Sequence, residues 1–189
     1  MRCAFFSLFA VLVASVAPAM AQTFTPAPNA VYLLDQDTQD GHFSIWSVKD
    51  LTGVNALRAT VTVARLGMDK KWAPNFNIRL RNDTSRATLH ISGVKGMMIL
   101  YAESFVGDER VQQDMFLLPP EVGEKFGLEI DWKPDGSAVI LVRSKAAAKA
   151  ANGYERHEVK LSGPATSLEV ATSTGELTLD PLQLGSTSP

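Results

Sequence analysis

Between Leu57 and Val63 the apolar residues Leu57, Ala59, Val61 and Val63 alternate with Arg58, Thr60 and Thr62. A period of two places every apolar side chain on one face of an extended strand and would scatter them around a helix. The alternation returns as Phe76, Ile78 and Leu80 against Asn77, Arg79 and Arg81, and again as Ala87, Leu89 and Ile91 against Arg86, Thr88 and His90. Phe126, Leu128, Ile130 and Trp132 alternate with Gly127, Glu129, Asp131 and Lys133. Pro134-Asp135-Gly136 then supplies turn chemistry before the apolar run from Ala138 to Val142, which together predict a hairpin with Trp132 in the core.

Shorter segments at 31–35, 43–48, 97–105, 111–117, 157–161, 168–172 and 176–184 bring the expectation to about a dozen strands, spaced as in a sandwich or barrel. Pro181 interrupts the last of them where the apolar parity shifts from Leu177 and Leu179 to Leu182 and Leu184, so a bulge or edge position is expected there. The alanine-rich stretch from Lys145 to Ala151 has helix-forming composition, but Asn152-Gly153 ends it after about two turns. It reads as a surface excursion between strands. The proline-containing segment 23–29 and the polar tail 185–189 are expected to be loosely held.

The chain begins with Arg2, an apolar stretch from about Ala4 to Ala17, and Ala19-Met20-Ala21, which is the layout of a secretory signal cleaved before Gln22. The apolar run is shorter than the ~20 residues of a membrane-spanning helix, so no anchor is expected after cleavage. The expected organisation is a signal over 1–21 and a single β-sandwich domain over 22–189, located in a periplasm or secreted. Cys3, the one cysteine of the chain, leaves with the signal, so the remaining domain depends on burial for its stability and needs neither disulfide nor metal. A formal charge of −2 removes the broad basic surface that non-specific nucleic-acid binding requires. Oligomeric state is left open.

The block Phe126 to Gly136, followed by the apolar strand and then by Thr174-Gly175-Glu176 and Leu182-Gln183-Leu184-Gly185, resembles the C-terminal half of concanavalin A-like lectin/glucanase domains. The resemblance is one of pattern over about the last 65 residues, with the earlier strands matching by number. It implies an all-β fold, a two-sheet antiparallel jelly-roll sandwich, and saccharide binding on a concave face or rim. Members that hydrolyse glycosides carry Glu-x-Asp-x-Glu or Glu-x-Asp-x-x-Glu on one strand. Glu129 and Asp131 match the first two places, whereas the third is Lys133 or Pro134, neither of which serves as nucleophile or general acid. Glu129, Asp131 and Lys133 also fit the solvated edge of an amphipathic strand.

Asn77, Arg79 and Arg81 share one side of their strand, and Arg86, Thr88 and His90 one side of the next, with only 82–85 between. For both apolar sets to face one core, paired positions must sum to an odd number, which leaves Leu80 opposite Ala87 or opposite Leu89. Either register gathers a basic, hydrogen-bonding patch. Arginine forks, an amide and an imidazole suit sugar hydroxyls or an acidic saccharide, and an aromatic ring would add a stacking surface. Trp46, Trp72 and Tyr101 are the available rings, and Trp72, in a loop, is the favoured one.

The primary expectation is an exported, non-catalytic module binding a carbohydrate or glycoconjugate through Asn77, Arg79, Arg81, Thr88, His90 and Trp72. The alternatives are a jelly-roll glycoside hydrolase or polysaccharide lyase using Glu129, Asp131 and His90, and a structural or protein-binding envelope protein. No cofactor is implied. Asp35, Asp37 and Asp40 invite a calcium reading, but counting from Asp35 puts Asp40 where the known loop needs glycine and Trp46 where it needs glutamate, which fits a polar turn better. His42, His90 and His157 lack the spacing of a transition-metal site.

Overall fold

The computed structural model describes residues 23–67 and 73–188. The proposed signal segment and Trp72 lie outside them. Ten strands follow in chain order: β1 (Thr23–Val48), β2 (Ala56–Leu66), β3 (Asn75–Arg81), β4 (Ser85–Val94), β5 (Met97–Val106), β6 (Glu109–Met115), β7 (Lys125–Trp132), β8 (Ser137–Arg143), β9 (Glu155–Lys160) and β10 (Ser167–Ser188). All pairings are antiparallel.

The architecture turns on β10. Its first part, Ser167–Ser173, pairs with β3, and its second part, from Gly175 to Gly185, pairs with β2. The sheet continues from β3 through β4 and β5 to β6, and from β2 through β7 and β8 to β9. Strand β1 follows β10 along its other edge, with a register shift between Thr38 and Phe43 that falls where β10 changes partner. One long sheet thus folds over at 174–175 into two facing layers. Thr174 takes φ 57 at the fold, and a side chain on Gly175 would meet the Arg65 carbonyl and the Phe76 ring at 2.7 Å. The architecture is the jelly-roll sandwich that the resemblance implied, and it is one of the two forms, sandwich or barrel, that the alternation predicted.

The core is a single apolar cluster drawn from both layers, including Phe76, Ile78, Leu89, Leu100, Leu168 and Val170 from one and Leu57, Val61, Phe126, Leu128, Ile140 and Leu179 from the other. Each comes from the apolar parity of its strand, so the alternation determines which face is buried. Trp132, 4% exposed, is in the core as expected. The far edges meet where the Glu155 carboxylate accepts from the Leu117 and Leu118 amides at 2.5 and 2.9 Å, and the Phe116 and His157 rings pack with centroids 4.2 Å apart.

Some boundaries differ from the sequence reading. Segments 31–35 and 43–48 belong to one strand, β1, and 168–172 and 176–184 to another, β10. Both predicted loose ends are paired: Thr23 lies opposite Ser188, Pro26 opposite Gly185, and the Thr187 amide donates to Asn55 Oδ1 at 2.7 Å. Ladder bonds use backbone groups alone, so a segment poor in apolar side chains can still be held. The alanine stretch forms one 3₁₀ turn, Ala147–Lys149, with Ala147 fully buried beneath it. The expected irregularity at Pro181 is present as a register shift between Leu179 and Leu182. No helix among the described residues is long and apolar enough to cross a membrane.

Candidate functional site

The hairpin of β3 and β4 takes the first of the two expected registers, Leu80 opposite Ala87, so Asn77 faces His90 and Arg79 faces Thr88. With apolar residues turned inward, the polar set lies on the outer face of its layer. Cross-strand registry extends it in rows. Ile45, Ala171, Asn77, His90, Tyr101 and Met115 form one row from β1 to β6, and Ser47, Glu169, Arg79, Thr88, Glu103 and Gln113 form the next.

The two acidic residues organise the cations. Glu169 accepts a very short hydrogen bond from Arg79 and lies 3.5 Å from Arg81. Glu103 lies 2.5 Å from His90 Nε2 and 3.6 Å from Arg110. Although the face points outward, its centre is largely withdrawn from water: Thr88 is 1% exposed and Glu103 6%. Burial lowers the pKa of Arg79 and of His90, with neighbouring guanidiniums pushing the same way and the paired carboxylates opposing. Burial also raises that of Tyr101, whose ring stacks on His90.

This centre is under-satisfied. Asn77 Oδ1, Arg79 Nε and His90 Nδ1 are buried and have no hydrogen-bond partner. Buried polar atoms are nearly always paired, by protein or by something bound, and here three lie on adjoining positions of one face. Beside them lies a cleft of about 480 Å³ lined by Asn77, Arg79, Glu169 and Ala171 on one side and by His42, Phe43 and Ile45 on the other. Phe43 is 72% exposed and Ile45 54%, so the polar floor has an apolar wall.

Of the residues singled out from the sequence, Asn77, Arg79, Thr88 and His90 are brought together, and Arg81 sits one row beyond Arg79 towards the 82–84 turn. Trp46 is turned to the core and packs edge-on against Tyr32 at 5.1 Å, away from the site. The residues missed are Glu169, Glu103, Phe43 and Ile45. The parity of 168–172 already put Glu169 on a polar face, but its place beside Arg79 comes from a strand pairing between segments about 90 residues apart.

The alternative catalytic pair lies on the other layer. Glu129 and Asp131 on β7 are held by Arg58 at 3.4 and 2.8 Å, and Arg143 Nε donates to Glu129 at 2.7 Å. Arg58 in turn stacks over Phe24, and Arg143 over Tyr154. Burial raises the Asp131 pKa, with Arg58 opposing. His90 is on the opposite layer, so these three residues form no common site. Lys133 falls outside the strand. Among the calcium candidates, Asp37 and Asp40 are paired with Arg65, at 2.7 and 3.6 Å, and Asp35 accepts from Thr178 Oγ1 at 3.3 Å. No group of three or more metal-ligating side chains occurs among the described residues.

No family model and no curated protein matches the sequence. Solved structures do match the fold. The Bacteroides ovatus xyloglucan PUL GH43B aligns with a TM-score of 0.58 at 12% identity, over 89% of this chain and 37% of that one. Scytalido-glutamic peptidase bound to a transition state analog inhibitor aligns at 0.52 and 12% identity, over 82% and 77%. The calcium-bound exoplasmic/lumenal domain of VIP36 aligns at 0.50 and 8% identity, over 82% and 83%. What these structures share with this chain is the jelly-roll fold, and a fold does not fix a function.

Proposed function

We propose that this chain is an exported, non-catalytic module that binds a carbohydrate or glycoconjugate on the β3–β4 face. The observation that carries the reading is the trio of unpartnered buried atoms, Asn77 Oδ1, Arg79 Nε and His90 Nδ1, beside a cleft walled by Phe43 and Ile45. A saccharide suits both halves. Its hydroxyls donate and accept at closely spaced positions, and the apolar face of its ring packs on exposed hydrocarbon. Both carboxylates on the face already have partners, Glu169 in Arg79 and Arg81, and Glu103 in the His90 imidazole and Arg110, which supports recognition over bond cleavage.

A glycan array followed by calorimetric titration of the best binder tests this. Asn77→Ala and Phe43→Ala should each weaken binding about tenfold or more with the fold intact, and no new reducing ends should appear on prolonged incubation. Saccharide binding indifferent to both substitutions, or turnover lost in Glu129→Gln, would overturn the reading. Export is part of the proposal: expressed with residues 1–21 in a bacterial host, the chain should be recovered from the periplasm or medium beginning at Gln22.

A further inference from the structure

Towards the 82–84 turn the binding face changes character. Arg81 stands directly opposite Arg86, and Arg86 is followed across the sheet by Phe105 and then Arg110. Like charges on directly opposed positions repel, so this arrangement weakens the hairpin unless something else offsets it. Arg81 and Arg110 each share a carboxylate that already has another partner, Arg81 sharing Glu169, at 3.5 Å, with Arg79, and Arg110 sharing Glu103, at 3.6 Å, with His90. Arg86 shares none. Its guanidinium lies 3.9 Å above the Phe105 ring and donates to the Gly107 carbonyl at 3.3 Å. Asp83 and Asp108, in the adjoining turns, are exposed, and the described residues show no ion pair from either to these arginines.

Three guanidiniums, Arg79, Arg81 and Arg110, therefore share two carboxylates, and Arg86 stands beside them without one, on one face of a protein whose overall charge is −2. The stack on Phe105 holds the Arg86 plane in place, which suits a guanidinium for receiving an anion in a fixed direction. Arg81 and Arg86 together offer paired N–H edges of the kind that bind carboxylate or sulfate oxygens. Along β3, Asn77 and Arg81 are four residues apart, about 13 Å at strand rise, so a ligand touching both must be longer than one sugar unit.

We propose that the ligand is an acidic oligosaccharide. Its neutral hydroxyls meet Asn77, Arg79 and His90, and a sulfate or uronate carboxylate sits between Arg81 and Arg86. The inference rests on the saccharide-binding reading and deepens it.

Calorimetric titration at low ionic strength with four probes tests it: sulfated galactan oligosaccharides, their desulfated counterparts, oligogalacturonates, and poly-glutamate as a polyanion without sugar. At least one acidic saccharide should bind about tenfold or more tighter than the desulfated galactan, and its identity separates a sulfate from a carboxylate preference. Arg86→Gln should reduce that preference to within about twofold while leaving the desulfated ligand unchanged, and Arg81→Gln should weaken the acidic ligand as well. Should a glutamine variant fail to fold, Arg86→Lys keeps the charge, loses the planar fork, and should still weaken the acidic ligand selectively. Equal affinity for neutral and acidic saccharides overturns this inference and leaves the saccharide reading standing. Poly-glutamate binding as tightly as the acidic sugars also overturns it, since charge alone would then suffice. Binding of none of the saccharides overturns both.

Discussion

His90 and Tyr101 lie face to face, ring centroids 4.5 Å apart and planes 8° from parallel. They occupy directly paired positions on β4 and β5, so the stack is set by register and holds the imidazole edge against Glu103 on one side while Nδ1 stays unpartnered. A residue so confined ties the polar β3–β4 face to the stability of the fold.

The first expectation concerns pH. The folded-state pKa of His90 lies below its ordinary 6.5 because burial, with Arg79 and Arg86 adding to it, disfavours the imidazolium more than Glu103 favours it. As pH falls below 6.5 the unfolded chain takes up a proton before the folded one, so this contribution to stability is complete above 6.5 and is lost progressively towards the lower folded value. The thermal midpoint should fall across that window, and His90→Asn should flatten this limb. Asp50 and Asp135, whose pKa values are lowered by hydrogen bonds from Thr52 and Ser137, act in a separate window below 3.8 and should be unaffected by that change.

Removing Glu169 should cost more than removing an ordinary surface acid. Arg79 is three-quarters covered, and its charge relies on Glu169 for compensation. Glu169→Ala should destabilise the protein by about 2 kcal/mol in urea unfolding, and Arg79→Met in the same background should recover part of the loss, because the uncompensated buried charge is then gone. Additive losses from the two changes would mean that the pair is not coupled.

At the far edge of the sandwich, Glu155 holds the chain beyond β6 by accepting from two consecutive amides, Leu117 and Leu118. Glu155→Ala should lower stability by about 1–2 kcal/mol and raise hydrogen exchange at those two amides well before the core exchanges.

The paired C-terminus gives a further check. Deleting residues 186–189 removes the Thr187 hydrogen bond to Asn55 and the last rungs of the β1–β10 ladder. The truncated chain should lose about 1–3 kcal/mol of stability in urea unfolding, whereas a loosely held tail would leave it unchanged.

Much of this protein is written in alternation. The parity of 57–63, 76–80, 87–91 and 126–132 determined which side chains enter the core, and two short amphipathic segments separated by one turn left two registers, either of which places Asn77, Arg79, Thr88 and His90 on one face; the structure takes the one with Leu80 against Ala87. These are local quantities, since a strand carries its own period of two and a short loop leaves few registers. What only the tertiary structure decided is which distant strands became neighbours. Phe43 and Ile45 wall the cleft, Glu169 binds Arg79, and segments 23–26 and 185–188 pair, all because β1 and β10 run the length of both layers. Backbone hydrogen bonding between strands is nearly indifferent to side-chain identity, so the contacts that complete the site depend on how the whole sheet closes around its core and leave no local mark in the chain.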